Sequence, residues 1–328
     1  MRTVSEFMLN LQKRLVDEKK LADTTATSYI QMLRKLNADV PFNNFSFLKS
    51  KELLEQRIGE YSESTQKTYY SVIVSVLGFV KDKSSYKTTY NFYYEKMMEK
   101  AKENGEKDTS EKSETQKKNW ISWKEICTKL EALRKQVDEF KTSKHISNSN
   151  YDTLLSAVVL ALYVYIPPRR NQDYQDLYFV KKLADKSDTT KNYYDLTKQQ
   201  FVFNKYKTAK SYGQQVISVG DNTELLDLIK IYLKFHPEKK GPEYRFLVYS
   251  DGKPLNAVNA VTRVLNRAFG KNIGSSMLRH IYLSEKYNID EMKKDADQMG
   301  HSLSLQKEYM KSDKPEASEK IVEKETPA

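Results

Sequence analysis

Glycine and proline are scarce in this chain, 10 and 8 among 328 residues. That excludes a collagen-like or low-complexity chain and argues against a β-sandwich, whose closely spaced turns consume both residue types. Helix is expected to dominate. Cysteine is nearly missing: Cys127 stands alone, so an internal disulfide and a Cys-based zinc site are excluded, and the composition fits a reducing compartment. The four histidines, His145, His236, His280 and His301, are scattered singly. No cluster has metal-ligand spacing, and no metal is expected. The sequence holds no GxxxxGK(S/T) loop, no GxGxxG behind a strand and no GxSxG elbow, which argues against nucleotide hydrolysis and against a serine hydrolase of the elbow type. Long apolar runs are missing too. The longest, Ser156 to Ile166, falls well short of the roughly 20 residues of a membrane span, and the opening MRTVSEFMLNLQKR has no apolar secretory core. The expectation is a soluble, intracellular protein without a membrane partner.

Negative charge is in short supply: 44 Asp and Glu face 55 Lys and Arg, a net +11. The excess is distributed. Residues 1–100 carry a net +4 and residues 121–310 a net +8, whereas 101–120 are balanced. Two basic segments around a neutral one fit a polyanionic partner. Tyrosine is abundant, with 23 residues, so no single tyrosine means much before its spacing is considered.

Apolar spacing predicts helices over residues 3–19, from Thr27 to Leu36 behind a capping Asp23-Thr24-Thr25, from Lys51 to Ile58, from Thr65 to Phe79, and from Tyr86 to Lys102. Residues 1–105 thus read as a small all-helical domain. Residues 103–118 (ENGEKDTSEKSETQKK) contain no apolar side chain and cannot bury enough to order themselves, which places a charged linker at 106–120. A second domain, 121–312, opens with Ser122 capping a helix from Trp123 to Phe140. The most apolar helix follows, Tyr151 to Tyr165, stopped by Pro167-Pro168. Gln200 to Lys207 and Gln214 to Val219 read as a β-hairpin around TAKSYG, with Tyr193 to Leu196 as a third strand. Helices return at 223–235, 257–269, 276–287 and 290–299, and residues 313–328 form a polar tail. The fold class is mainly α with a small antiparallel β-hairpin or sheet.

The residues able to do chemistry are cationic and phenolic. Arg169 and Arg170 follow the proline stop, and a guanidinium offers paired donors that match a phosphate. Lys207 and Lys210 sit in the hairpin turn. Arg279 is placed within the first turn of a helix, where backbone N–H groups also favour an anion. His301 follows Gly300, and Tyr309 comes eight residues later. Each piece alone has a plain structural reading: solvated arginines, polar turn chemistry, an arginine paired with Asp290 or Glu291, one tyrosine among many. Their joint order is far more specific.

That order resembles the tyrosine recombinases: an Arg three residues before an acidic residue, a hairpin Lys, a Leu-Arg-His segment at 278–280, a Gly-His and then a Tyr. The match spans about residues 150–310. PPRRNQDY and the hairpin Lys-Thr look most similar to integrases of large DNA viruses, virophages and related mobile elements. The resemblance implies a helical core-binding domain and a catalytic domain that clamp double-stranded DNA, with protomers assembling as a homotetramer on it. It implies that Arg170, with Asp173 three residues on, is the first clamp arginine, Arg169 being the fallback. Lys207 is then the hairpin lysine, Arg279 the second clamp arginine, His301 the next activating position and Tyr309 the nucleophile. Two positions depart from the pattern. Ser276 stands where a His or Lys is usual, three residues before Arg279, and the interval from His301 to Tyr309 is one residue shorter than common.

The implied activity is metal-independent cleavage and rejoining of DNA strands through a 3′-phosphotyrosyl intermediate, in site-specific recombination or viral genome integration, without a cofactor. For a viral element the site of action is the nucleus or cytoplasm of a host cell. Two alternatives stand beside it. One is a type IB topoisomerase or telomere resolvase with the same chemistry; the other is a catalytically silent DNA-binding protein, for which Ser276 speaks most. In the tail, Ile321 and Val322 are the one apolar pair and are expected to dock on a neighbouring protomer.

Overall fold

The computed structural model describes residues 4–106, 112–184, 188–239, 241–287 and 292. The chain divides into two compact units, residues 1–111 and 112–328.

The first unit is helical throughout its described residues: α1 (Glu6–Asp17), α2 (Asp23–Leu36), a 3-10 turn at Ser46–Lys49, α3 (Lys51–Gly59), α4 (Glu63–Leu77) and α5 (Ser84–Glu106). Ser5 starts α1 by accepting from the Met8 amide. The expected cap of α2 is not formed. Asp23 is already the first helical residue, no side chain caps the helix, and the Asp23 carboxylate instead accepts from Gln12 Nε2 at 3.2 Å, tying α2 to α1. Leu15, Leu33, Leu48, Ile58, Ile73 and Val76 make a dry core. Tyr93 is buried among them because its hydroxyl has a partner, donating to the Leu48 carbonyl at 3.0 Å.

The second unit begins inside the segment that composition reads as unstructured. Ser113 and Gln116 form a capping box on α6 (Glu114–Asn119), so local hydrogen bonds order residues that bury nothing apolar. Trp120 then packs against the core of the unit. Ser122 and Glu125 form a second capping box on α7 (Trp123–Phe140), and α8 (Asn148–Val164) runs through the middle, buried from Leu154 to Tyr163. After Pro167-Pro168 come a short helix, α9 (Asn171–Gln175), and a five-stranded sheet, with α10 (Ala209–Tyr212) between its third and fourth strands. The strands are β1 (Leu177–Val180), β2 (Asn192–Asp195), β3 (Gln200–Phe203), β4 (Gln215–Ser218) and β5 (Glu243–Arg245), in the order β4-β3-β2-β1-β5. α11 (Thr223–Phe235), α12 (Ala260–Phe269) and α13 (Ser275–Lys286) complete the described elements.

The sheet corrects the expectation of a purely antiparallel one. β2, β3 and β4 pair antiparallel as anticipated, but β1 and β2 are parallel, Leu177 opposite Asn192. A parallel pair cannot be joined by a tight hairpin turn and needs a longer connection, which residues 181–191 supply in length. Phe179, Tyr194, Phe201 and Phe246 cover one face with close aromatic contacts, Phe179 and Phe246 stacking at 4.3 Å. None of the described helices is long and apolar enough to cross a membrane.

Candidate functional site

The proline stop controls everything that follows it. Ending α8 at Val164 with α9 starting at Asn171 leaves Arg169 and Arg170 in the irregular connection between the two helices, and the two side chains part. Arg169 goes inward: its side chain is 12% exposed, and Nε donates to Asp173 Oδ2 at 2.9 Å. Arg170 is the N-cap residue of α9. Its carbonyl accepts from the Asp173 amide, and its guanidinium has no hydrogen bond or ion pair among the described residues.

Asp173 is nearly sealed, with 3% of its side chain exposed. Burial raises its carboxyl above the ordinary value, opposed by Arg169 and then Arg170. Oδ1 remains buried without a partner. Next to it, Tyr163 donates to Asn171 Oδ1 at 3.0 Å, and Asn171 donates on to Thr262 Oγ1 at 2.8 Å. Burial pushes the Tyr163 phenol up, whereas the Ser275 hydroxyl and the positive charge of Arg279 pull it down. The chain Tyr163–Asn171–Thr262 therefore joins α8, α9 and α12. Thr262 in turn crowds Gly274, where an added Cβ would lie 3.3 Å from Thr262 Cγ2. Gly274 is the N-cap of α13, so a side chain here would have to push Thr262 aside by a few tenths of an ångström.

Through Asn171 and Thr262 the segment that presents Arg170 is thereby tied to the start of the helix that carries Arg279. Arg279 is the fifth residue of α13, one past the first turn in which the sequence places it. Its Nε is buried with no hydrogen-bond partner. Ser276, three residues earlier on the same helix, is exposed, as is His280.

The hairpin reaches the same region by a separate tie. Asn192 is fully buried at the start of β2, and its side-chain amide is used completely. Nδ2 donates to the carbonyls of Asp173 and Lys205, and Oδ1 accepts from the amides of Asn204 and Lys205, all at 2.8–2.9 Å. Lys207 lies in the following turn and Lys210 in the short helix α10, both exposed, and neither has an ion pair among the described residues. Lys205 is different, since it pairs with Asp176 at 2.9 Å. His301, Tyr309, Asp290 and Glu291, together with the 290–299 helix apart from Met292 and the tail with Ile321 and Val322, lie outside the described residues.

No family model, no curated protein and no solved structure matches the chain.

Asn171, Asn192, Thr262 and Gly274 are the site residues that sequence reasoning missed. For Asn192 a signal existed: asparagine is disfavoured in strands, and one opening a strand whose next two residues are Tyr invites the question of what it binds. The other three offered none, because their roles depend on elements far apart in sequence. His236 proves to be a core residue: it is 4% exposed, with Nε2 on the Arg245 carbonyl at 2.9 Å and Nδ1 accepting from the Glu238 amide.

Proposed function

We propose that this protein cleaves and rejoins DNA strands by phosphoryl transfer to Tyr309, acting as a site-specific recombinase or integrase of the tyrosine-recombinase kind on double-stranded DNA, with protomers assembling as a tetramer. The observation that carries the reading is the pair Arg170 and Arg279. Their segments are tied together by Asn171, which donates to Thr262 Oγ1, and by Thr262 lying against Gly274 at the start of α13, and neither guanidinium has an ion-pair partner among the described residues. A guanidinium without a carboxylate partner keeps its paired donors free to meet a phosphate.

The chemistry follows. A phosphodiester under attack gathers negative charge on its nonbridging oxygens, and Arg170, Arg279 and His301 supply the stabilisation without a metal. The Tyr309 phenol, with an ordinary value near 10, is the better nucleophile for the surrounding positive charge. Lys207 gives a proton to the leaving 5′ oxygen. The bond formed is tyrosyl oxygen to phosphorus and the bond broken is phosphorus to O5′; the phenolic proton passes to water and O5′ takes its proton from Lys207. The ester is conserved, so a second 5′-hydroxyl end can reverse the step without ATP.

The test uses a duplex selected by the protein from a random-sequence pool and nicked just beyond the cleaved phosphate, so that a short 5′ fragment diffuses away. A covalent adduct on a denaturing gel, lost in Tyr309→Phe, is the expected result. Binding without an adduct in the unaltered protein would favour the silent DNA-binding reading, to which the exposed hydroxyl of Ser276 lends its weight as a poor base.

A further inference from the structure

Arg169 is the arginine to which this chemistry gives no task, and its surroundings supply one. Nε donates to Asp173 Oδ2 at 2.9 Å and Nη1 donates to Gln215 Oε1 at 2.6 Å. The guanidinium carbon lies 3.9 Å from the Phe203 ring centre and 5.0 Å from that of Tyr206. Phe203 closes β3, Gln215 opens β4, and Tyr206 immediately precedes Lys207. One side chain therefore grips both roots of the 204–214 connection from the segment that presents Arg170. Within the connection, Tyr206 donates to the Gly213 carbonyl at 2.6 Å and Gln214 to Asn204 Oδ1 at 2.6 Å, which closes the turn on itself. Asn192 fixes its first residues, and Arg169 is the tie that reaches both strands. Only a planar fork that can stack meets these demands at once.

We propose that Arg169 is a positioning residue: it sets Lys207 where the leaving oxygen is protonated, through Gln215, Phe203 and Tyr206, and does not itself touch the phosphate. This rests on the strand-transfer reading above, and the chemistry separates the two ideas. When the bond from phosphorus to O5′ breaks, its electron pair goes to oxygen, which needs a proton from Lys207. With sulfur in place of O5′ the pair leaves as a thiolate, whose conjugate acid resembles a cysteine thiol with a pKa of about 8.5, and no proton donor is required.

The experiment measures adduct formation on the selected nicked duplex with either oxygen or sulfur at the bridging 5′ position. Arg169→Lys keeps a cation beside Asp173 and so preserves the fold, and Gln215→Leu cuts the hairpin tie alone. Both are expected to slow the oxygen substrate by about 10- to 100-fold, part of the roughly 10²- to 10⁴-fold that a general acid contributes, and to return to near the unaltered rate on sulfur. Lys207→Ala sets that pattern, and Arg170→Gln is slowed on both substrates. Equal loss on both substrates in Arg169→Lys, or no loss on either, overturns the proposal. Hydrogen exchange of the 204–214 amides reads the anchoring without chemistry and is expected to quicken in both variants. If the unaltered protein cleaves neither substrate, the strand-transfer reading falls and exchange decides for Arg169: faster exchange upholds the anchor, unchanged exchange removes it.

Discussion

Two neighbouring arginines differ here in their partners: Arg169 is held by Asp173 and Gln215, whereas the Arg170 guanidinium has no hydrogen bond or ion pair to a described residue. Arg169 is enclosed with Asp173, and a buried ion pair that loses one member leaves the other charge uncompensated. Asp173→Ala should therefore cost about 3–5 kcal/mol in urea denaturation, whereas Arg170→Ala, which removes no hydrogen bond or ion pair to a described residue, should change stability by less than about 1 kcal/mol. A similar cost for both would mean that Arg170 is structural. The resemblance favours Arg170 for the clamp, but spacing alone does not say which arginine pairs with Asp173, since Arg169 stands four residues and Arg170 three residues before it and both spacings allow a contact on a helix. What decides is that α9 starts only at Asn171. His236 gives a second residue-scale prediction. Burial lowers its pKa from 6.5 to about 4, the backbone carbonyls at Arg245 and Phe246 opposing and the Lys239 charge adding. Between those values the unfolded chain takes up a proton that the folded chain refuses. The stability that neutral His236 brings is thus complete above pH 6.5 and falls away as the pH drops toward 4, by about 3 kcal/mol. His236→Gln should flatten that part of the curve relative to the unaltered protein, in denaturation at pH 7, 5.5 and 4.5. Parallel curves would refute it.

At the scale of elements, legibility follows how local the cause is. α7 and α11 match their sequence readings end to end because their caps, Ser122 and Asn222, are adjacent in sequence to what they start. α6 was invisible to composition because its order comes from the capping box of Ser113 and Gln116, which requires no apolar residue. β1 and β5 were missed for a different reason. LYFV and EYR carry no alternation, and β5 becomes a strand only by pairing with β1, Tyr178 opposite Arg245, about seventy residues away. The hairpin was legible and its parallel neighbour was not. The candidate site divides along the same line: the cationic residues could be listed from sequence, but Asn192 and Thr262, which join their segments, act across elements. The capping boxes carry a prediction. Ser122→Ala removes the acceptor for the Glu125 amide and one of the two donors to the Glu125 carboxylate, leaving the residue 122 amide in place, and it should cost about 1 kcal/mol, read as a shift in the denaturation midpoint at unchanged slope. A loss below a few tenths would mean that packing alone sets the start of α7.

On the scale of the molecule, the two units have separate cores and the same sign of charge. Segments 1–100 and 121–310 are both basic, with net +4 and +8. Charge placed in both units, rather than gathered in a tail, suits a partner that runs past each of them, and a duplex does so with one phosphate charge per roughly 1.7 Å of axis. Each phosphate neutralised by a lysine or arginine releases counterion, so the logarithm of affinity falls with the logarithm of salt at a slope near −0.9 per contact. If both units engage the backbone, six to ten contacts are reasonable, and affinity for a duplex should drop by about 10³- to 10⁵-fold between 50 and 200 mM salt. Arg170→Ala or Lys207→Ala should each lower the slope by about one, as single phosphate contacts. Fluorescence anisotropy with a labelled duplex across that range measures both. A flat dependence would mean that the basic excess is only a solvated surface, and it would remove the polyanion argument for both units together.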